Sequence, residues 1–475
     1  MKRKVTMIAI TLLLIVLLTG VFLVVFLNAQ GKEEVSEEPK VNTEYFSAYT
    51  DREEFKGIPT LTSQYAKIGE VEEQGGGCYV VGVDGTTVDD YKDYLLKLEK
   101  AGFKKHSDNG EDGMEGYVYT ASYTKKNQVV TVSHAIKLDK TYISAALDLP
   151  LSEHLIYKDE YVKDNIAGAQ TKLHLVQLNN NGTSIIIQLK NGHFIVHDGG
   201  QSYDAPYLLD YLEQLAPEGQ KPVIEGWFIS HAHGDHYGAV TAIATNLAWA
   251  DRLIVEGFYF TEPSAAFTLK SGTGNAVWTT SRLNASFKNM AGERAGMYRP
   301  QLGQRYYFCD MAVDVTMTAE QYPIDTYYND DFNDTSIWLM HQIEGQRFLY
   351  VGDSSHTGMR TVMNMFEQSY FDLDMFAVSH HGINVYDYFV EYCIADTLLY
   401  TVFRTKSMYE DKSAHAHLAE HARMQELAKE SISHGEGTAV LTFPYTVGSY
   451  EIMPSFDWRY NSKNPGEPNR TIWGQ

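Results

Sequence analysis

The run Ser230-His231-Ala232-His233-Gly234-Asp235-His236-Tyr237-Gly238 limits what this chain can fold into more than any other stretch. Three histidines and one aspartate fall within six positions, between an apolar run, Val223 to Ile229, and a small-residue run, Gly238 to Thr245. That order reads as a buried strand, a tight loop and a helix. Imidazole nitrogen and carboxylate oxygen are the donors a borderline-soft divalent ion such as zinc prefers. His231 and His233, two apart, can point the same way from an extended loop. Gly234 then lets the backbone turn before Asp235 and His236, so one loop can offer two pairs of donors to two neighbouring ions. A single histidine here would read as a strand cap or a satisfied core group; four donor residues at this spacing do not.

Three further stretches end apolar runs in polar residues of the same kind. They are Phe194-Ile195-Val196-His197-Asp198-Gly199-Gly200, Phe348-Leu349-Tyr350-Val351-Gly352-Asp353 and Phe376-Ala377-Val378-Ser379-His380-His381-Gly382. With the His-X-His-X-Asp-His spacing they resemble the metallo-β-lactamase fold. Adding Asn333-Asp334-Thr335-Ser336 and the His-His-Gly ending, the pattern looks most like the hydrolase domain of the bacterial DNA-uptake protein ComEC. The resemblance covers roughly 170–455 and implies an α/β protein, a four-layer α/β/β/α sandwich, with two divalent metal ions as cofactors. It implies that His231 and His233 hold one ion, that Asp235 and His236 hold the other, that Asp353 bridges both, and that His380 completes the second. Many relatives complete the first site with a third histidine. Here only His341 lies between the loop and Asp353, inside an expected strand, so the first site is short by one protein donor. Zinc is the expected metal, with manganese the alternative.

His380 and His381 are not separated by sequence. Val378 and His380 share a face of an extended strand, which selects His380 as the metal ligand and leaves His381 to contact substrate or to support the ligands. Asp198 reads either as a hydrogen-bond partner of the metal loop or as a plain turn residue before two glycines. Two ions about 3.5–4 Å apart share a hydroxide, lower the pKa of its parent water and polarise the attacked group. Asp235 is expected to orient that hydroxide as well as bind metal. No serine or cysteine nucleophile is needed, and Gly352-Asp353-Ser354-Ser355 lacks the Gly-X-Ser-X-Gly elbow. His417 and His421, four apart on an expected helix, lack the glutamate of a His-Glu-X-X-His protease and read as a solvated face; the alternative, implied by the resemblance, is that one histidine of the cluster His415, His417 and His421 reaches the site.

The expected function is a surface-anchored hydrolase of phosphodiester or phosphoester substrates, small molecule or polymer. A lactone or amide hydrolase, including one for β-lactams, is the alternative, and the missing third histidine argues against it. A non-catalytic surface binding or assembly protein is a third reading, opposed by the full donor set. The formal net charge of −22 repels polyanions, which disfavours nucleic acid as a partner. The three cysteines, Cys78, Cys309 and Cys393, are far apart and suggest neither a disulfide framework nor a thiolate metal site.

Residues 1–30 begin with Met1-Lys2-Arg3-Lys4 and continue through Val5 to Leu27, 23 positions without a charge. As a helix that run spans about 34 Å, against a bilayer core of about 30 Å. The basic flank should stay in the cytoplasm and the rest outside, so a bacterial cell-membrane signal-anchor is expected; a cleaved signal peptide is the rival. Residues 31–44 are an acidic linker and 45–160 a small α+β accessory domain. In it Cys78 to Val83, Tyr117 to Tyr123, Val129 to His134 and Tyr142 to Leu147 read as strands, and a helix capped by Thr87 runs to Gly102. The hydrolase domain, 170–455, opens with antiparallel strands at Leu173 to Leu178, Ser184 to Leu189 and His193 to Val196. A helix over Tyr203 to Leu215 precedes the metal loop, and Leu253 to Phe260 is the next strand. Strands at Val313 to Met317, Ser336 to Met340, Arg347 to Val351 and Leu398 to Phe403, with helices over Thr361 to Phe366 and Ala416 to Lys429, build the second half. Thr438 to Phe443 and Tyr450 to Ile452 close it. The insertion at 261–305 is expected to lie over the active site by the same resemblance, and 456–475 is a tail.

Overall fold

The alternation of apolar and polar residues resolves into three main sheets. The computed structural model describes residues 51–178, 182–264, 296–318, 332–382, 385–401, 418–434, 437–454, 460–461 and 464–468. The expected anchor helix and acidic linker, and residues 265–295 of the insertion, lie outside these. No helix among the described residues is long and apolar enough to cross a membrane.

The first sheet contains β1 (Lys67–Glu73), β2 (Cys78–Asp84), β3 (Lys104–Asp108), β4 (Val118–Lys125), β5 (Gln128–Ala135) and β6 (Lys140–Leu147), in the antiparallel order β1-β2-β6-β5-β4-β3. Helix α1 (Val88–Lys100) covers one face. It starts where Thr87 and Asp90 cap each other, Asp90 N donating to Thr87 Oγ1 at 3.2 Å and Thr87 N to Asp90 Oδ2 at 2.9 Å. Its Tyr91, Tyr94 and Leu98 pack on Val81, Val83, Tyr123, Val130 and Ile143. The edge strands β1 and β3 were not expected. Edges face water and carry charge, so their residues, such as Lys104, Lys105 and Glu70, give no apolar alternation to read.

The second sheet is built from β7 (Lys172–Leu175), β8 (Ser184–Gln188), β9 (Phe194–Asp198), β10 (Val223–Ile229), β11 (Ile254–Val255), β12 (Gly257–Phe260), β13 (Gly296–Tyr298), β21 (Gly437–Thr442) and β22 (Glu451–Pro454). Its order is β13-β12-β10-β9-β8-β7-β21-β22, with β11 also on β10. The run expected as one strand over Leu253 to Phe260 is therefore two. The third sheet holds β14 (Arg305–Phe308), β15 (Met311–Met317), β16 (Trp338–Ile343), β17 (Gln346–Tyr350), β18 (Asp372–Ala377), β19 (Ile394–Tyr400) and β20 (Glu430–Ser433), in sequence order.

Strand alternation decides which residues lie between these two sheets. Ile185, Ile187, Ile195, Phe228 and Tyr259 meet Val313, Val315, Leu339, Phe348, Met375 and Leu399 in one buried layer. Their neighbours Ile186, Val196, Trp227 and Ile229 turn outward to helices α2 (Ala205–Leu215) and α3 (Gly234–Thr245). On the far side α4 (His356–Met365), α5 (Asp387–Val390) and α6 (Leu418–Leu427) bring Met359, Val362, Phe389 and Met424 against Met340, Leu349, Phe376 and Leu398. The layers run helix, sheet, sheet, helix, and each large apolar side chain buried in them contributes about 1.5–3 kcal/mol. Helix α4 begins at His356, before the expected Thr361.

Thr43–Gln475 forms one compact unit. Val80, Met114, Val118, Ala135 and Tyr142, on the face of the first sheet away from α1, belong to the same core as α2 and α3. Thr120 Oγ1 and Ser133 Oγ both donate to Leu302 O, at 2.8 and 2.7 Å, and Arg299 Nη2 donates to Gln74 O at 2.8 Å. The end of the expected accessory domain is packed too: Ser152 Oγ lies 2.8 Å from Tyr259 OH, and His154 Nδ1 lies 2.8 Å from Tyr307 O. Within the expected tail, Tyr460–Asn461 pairs antiparallel with Asn464–Pro468. The three cysteines are buried, and none is in a disulfide.

Candidate metal centre

Strand β10 ends at Ile229, and the loop that follows is held from below. Asp198, at the end of β9, is fully buried with φ at 54°. It accepts from Ser230 N at 2.8 Å, Ser230 Oγ at 2.8 Å, His236 Nδ1 at 2.6 Å and the hydroxyl of Tyr350. The bond from Nδ1 fixes the His236 tautomer so that Nε2 faces the cleft. Helix α3 starts at Gly234 and lies close on the preceding turn. A Cβ at Gly238 would stand 2.6 Å from Ser202 N, so only glycine allows this approach. Gly352, with φ at +55°, similarly lets the Asp353 loop pass Ser230.

Two trios result. His231, His233 and Asp353 form one; Asp235, His236 and His381 form the other; within each, all donor atoms lie within 4.8 Å of one another. His231 Nε2 is 3.0 Å from His233 Nδ1. Asp353 Oδ2 faces the Nε2 atoms of four histidines: His236 at 3.1 Å, His381 at 3.5 Å, His380 at 3.6 Å and His231 at 3.9 Å. His381 Nε2 also lies 3.4 Å from Asp235 Oδ2. Donors about 2.0–2.1 Å from a shared tetrahedral ion stand roughly 3.4 Å apart, which is the scale of these separations. The Nε2 atoms of His236 and His381 are buried and lack a hydrogen-bond partner. A nitrogen and oxygen donor set of this kind, with orphaned imidazole nitrogens aimed at one carboxylate, fits two divalent cations.

Charge in the metal-free protein follows the same geometry. Burial opposes ionisation of Asp353, but His236, His381 and His380 outweigh it and hold its carboxyl well below the usual carboxylate range. Burial likewise opposes a charged His236, yet Asp353 and Asp198 hold that ring well above the ordinary imidazole value. Burial, together with His236 and His233, keeps His231 neutral. The Asp235 carboxyl is also lowered: burial acts against this, and the adjoining His381 ring and the charge of His236 prevail.

His380 was expected to enter the cleft by strand alternation, and the backbone differs. Strand β18 ends at Ala377, and His380 and His381 both take left-handed φ, 51° and 55°. The alternation does not reach them. His381 is the buried ring grouped with Asp235 and His236, while the His380 side chain is 25% exposed beside Asp353. Thr183 Oγ1 and Thr401 Oγ1, 3.0 and 3.3 Å from His381 Nδ1, hold its ring. His421, read from sequence as solvated, is buried and bonds through Nε2 to Gly382 O, bracing the same turn. His417 lies outside the described residues. His341 stands in β16 against Phe348 O and His197 Nε2, away from both trios. Phe332 packs edge-on against His233, and Asp334 accepts from the Ser355 hydroxyl. Tyr350, Thr183 and Thr401 were missed because nothing local marks them; each is at least twenty positions from the group it holds.

No protein-family profile matches this sequence, and no curated protein matches it. Among solved structures, zinc-bound PqqB from Methylobacterium extorquens is 12% identical with a TM-score of 0.28. That match covers 41% of this chain and 58% of PqqB, less than two thirds of its length. The metallo-β-lactamase fold protein YhfI from Bacillus subtilis is 10% identical with a TM-score of 0.33, over 56% of this chain and 96% of YhfI.

Proposed function

We propose that this chain is a metal-dependent hydrolase of the metallo-β-lactamase fold, acting on phosphodiester or phosphoester substrates at the outer face of a bacterial cell membrane. The observation that carries the reading is Asp353, one buried carboxylate faced by four imidazole nitrogens at 3.1–3.9 Å. His231, His233 and Asp353 would hold one divalent ion, and Asp235, His236 and His381 the other, with Asp353 between them. Zinc suits this nitrogen and oxygen set, and manganese is the alternative. When bound, such a pair activates water near neutral pH and polarises the ester oxygen. Asp235, its side chain 15% exposed, would accept a proton from attacking water. His380, which we reassign from ligand to substrate contact, would present its partly exposed ring to the ester. Asp198 and Tyr350 keep His236 oriented.

The long uncharged run Val5 to Leu27 supports anchoring, and the net charge favours a small or locally accessible ester over long nucleic acid. The test is metal per chain by mass spectrometry, with hydrolysis of bis-p-nitrophenyl phosphate, nitrocefin and a chromogenic lactone before and after chelation. Chelator-sensitive turnover of the phosphodiester, restored by zinc or manganese, is expected. Turnover of the lactone or nitrocefin alone would move the substrate class, and a metal-loaded but inert protein would remove catalysis.

A further inference from the structure

Two histidines outside both trios meet in the layer between the two large sheets. On β9, alternation places His197 on the inner face with Ile195. On β16 it places His341 there with Leu339 and Ile343. Both rings are fully buried. His341 Nε2 lies 2.9 Å from His197 Nε2, and the rings meet edge-on, 85° apart, with centroids at 4.7 Å. The His197 ring also lies 5.0 Å from that of Tyr350, whose hydroxyl donates to Asp198.

The protons on this pair follow from its partners. His341 Nδ1 lies 3.1 Å from Phe348 O, and a carbonyl only accepts. Nδ1 therefore carries the proton of the neutral His341 ring, and its Nε2 is an acceptor. His197 then donates from Nε2, which leaves its Nδ1 bare; that nitrogen is buried and has no hydrogen-bond partner among the described residues. Burial keeps both rings uncharged, pushing His341 down to about 4 and His197 well below the ordinary imidazole value. One N–H to N bond thus crosses from sheet to sheet.

The rings around it are apolar: Phe228 lies 5.6 Å from His197 and Phe348 lies 5.0 Å from His341. A leucine pair would fill the same layer without a bare buried nitrogen, and replacing both partners of a buried hydrogen bond by apolar groups costs little. Leucines would lack direction, whereas a hydrogen bond has one preferred length and angle. Direction matters here because the metal donors are divided between the sheets. The loop after β10 supplies His231, His233, Asp235 and His236, and the segments after β17 and β18 supply Asp353 and His381.

We propose that His197 and His341 are positioning residues of the metal centre. Their one hydrogen bond holds the sheet that carries His231, His233, Asp235 and His236 at a fixed offset from the sheet that carries Asp353 and His381. The proposal rests on the two-ion reading above.

NMR of the full chain with isotope-labelled histidine tests the bridge, and cobalt(II) tests the centre. His197 should be protonated at Nε2 and His341 at Nδ1. His197→Leu/His341→Leu should keep the circular dichroism of the wild type and bind cobalt(II) about tenfold more weakly, the low end for outer partners of metal ligands. Its visible cobalt absorption, which reports the geometry around the ion, should change. His341→Gln, whose amide oxygen can accept from His197 Nε2, should restore both affinity and spectrum. Wild-type affinity and spectrum in the double leucine variant would reduce the pair to packing and overturn the proposal, as would the opposite tautomers. Should the double variant not fold, His341→Gln decides: restored cobalt binding upholds the proposal, and weakened binding in the folded protein overturns it. A wild type that takes up neither cobalt(II) nor zinc overturns the bridge's role and the metal reading together. Phosphodiester turnover with an unaltered double variant removes the positioning role and keeps the function. An altered cobalt site in a protein that hydrolyses no ester keeps the positioning role and removes the function.

Discussion

At Asp353 a carboxylate is 2% exposed with one oxygen directed at four imidazoles. Such a group is costly to bury without cations beside it. Asp353→Asn keeps the shape and removes the charge, so we expect it to lose at least one metal ion per chain while circular dichroism stays that of the wild type. Full metal content in this variant would end the two-ion reading. The neighbouring histidines should separate in the same assay: His381→Ala loses more metal than His380→Ala, since His381 is the ring grouped with Asp235 and His236. Tyr350→Phe removes one of the four donors to Asp198. We expect it to lower stability by about 1–3 kcal/mol in denaturant unfolding, with a smaller loss of metal than Asp198→Asn, which takes the negative charge and one of the two acceptor oxygens from the group that holds His236. An Asp198→Asn variant that retains metal as well as Tyr350→Phe would show that the tautomer of His236 is set elsewhere.

The elements bring these residues together through close approach. Helix α3 can lie on the turn at Ser202 only because position 238 has no side chain; a Cβ there would meet backbone nitrogen at 2.6 Å and backbone carbon at 3.0 Å. Gly238→Ala should therefore push the helix away, cost about 1–3 kcal/mol from overpacking and release metal from His236. Gly219→Ala is the control for an added methyl, because nothing lies within 4 Å of its Cβ, although its φ of +75° carries a small strain of its own. Equal metal content in the two variants would mean that α3 has room to shift. The strands act in a similar way: β9 and β17 put Asp198 and Tyr350 within a hydrogen bond although they are 152 positions apart.

Across the whole molecule, several histidines are buried neutral. Burial lowers His134, His341 and His434 to about 4 and His174 to about 3, from an ordinary value of 6.5. Each ring favours the uncharged form in the folded state, so below 6.5 the unfolded chain binds protons that the folded chain does not. Stability is then fully present above about 6.5 and falls as pH drops toward 4, each ring contributing up to about 1.4 kcal/mol per pH unit in that window. Urea midpoints at pH 7.5, 6 and 5 measure it; a midpoint unchanged between pH 7.5 and 5 would contradict it. The shared core makes a second prediction at this scale. Removing residues 51–160 exposes the surface covered by Val80, Val118, Ala135 and Tyr142, so a chain beginning near Gln170 should aggregate or unfold at a lower temperature. A fragment that melts like the intact protein would make the first sheet an independent module.

How much of this could be read beforehand depends on distance along the chain. The metal loop was legible because its four donors lie within six positions, and local spacing limits where side chains can point. Strands β8, β9 and β10 were legible as apolar runs for the same reason, since a run is a property of adjacent residues. Thr87 and Asp90 announced the start of α1 from three positions apart. The order of His380 and His381 was not legible, because two consecutive left-handed residues end the alternation. Nor were Tyr350 beside Asp198, Thr183 and Thr401 beside His381, or the meeting of His197 with His341. Those pairs are set by sheet register and by which helix covers which face. A chain's periodicity reports how each segment turns about its own axis, and only packing the segments together decides which distant side chains share a site.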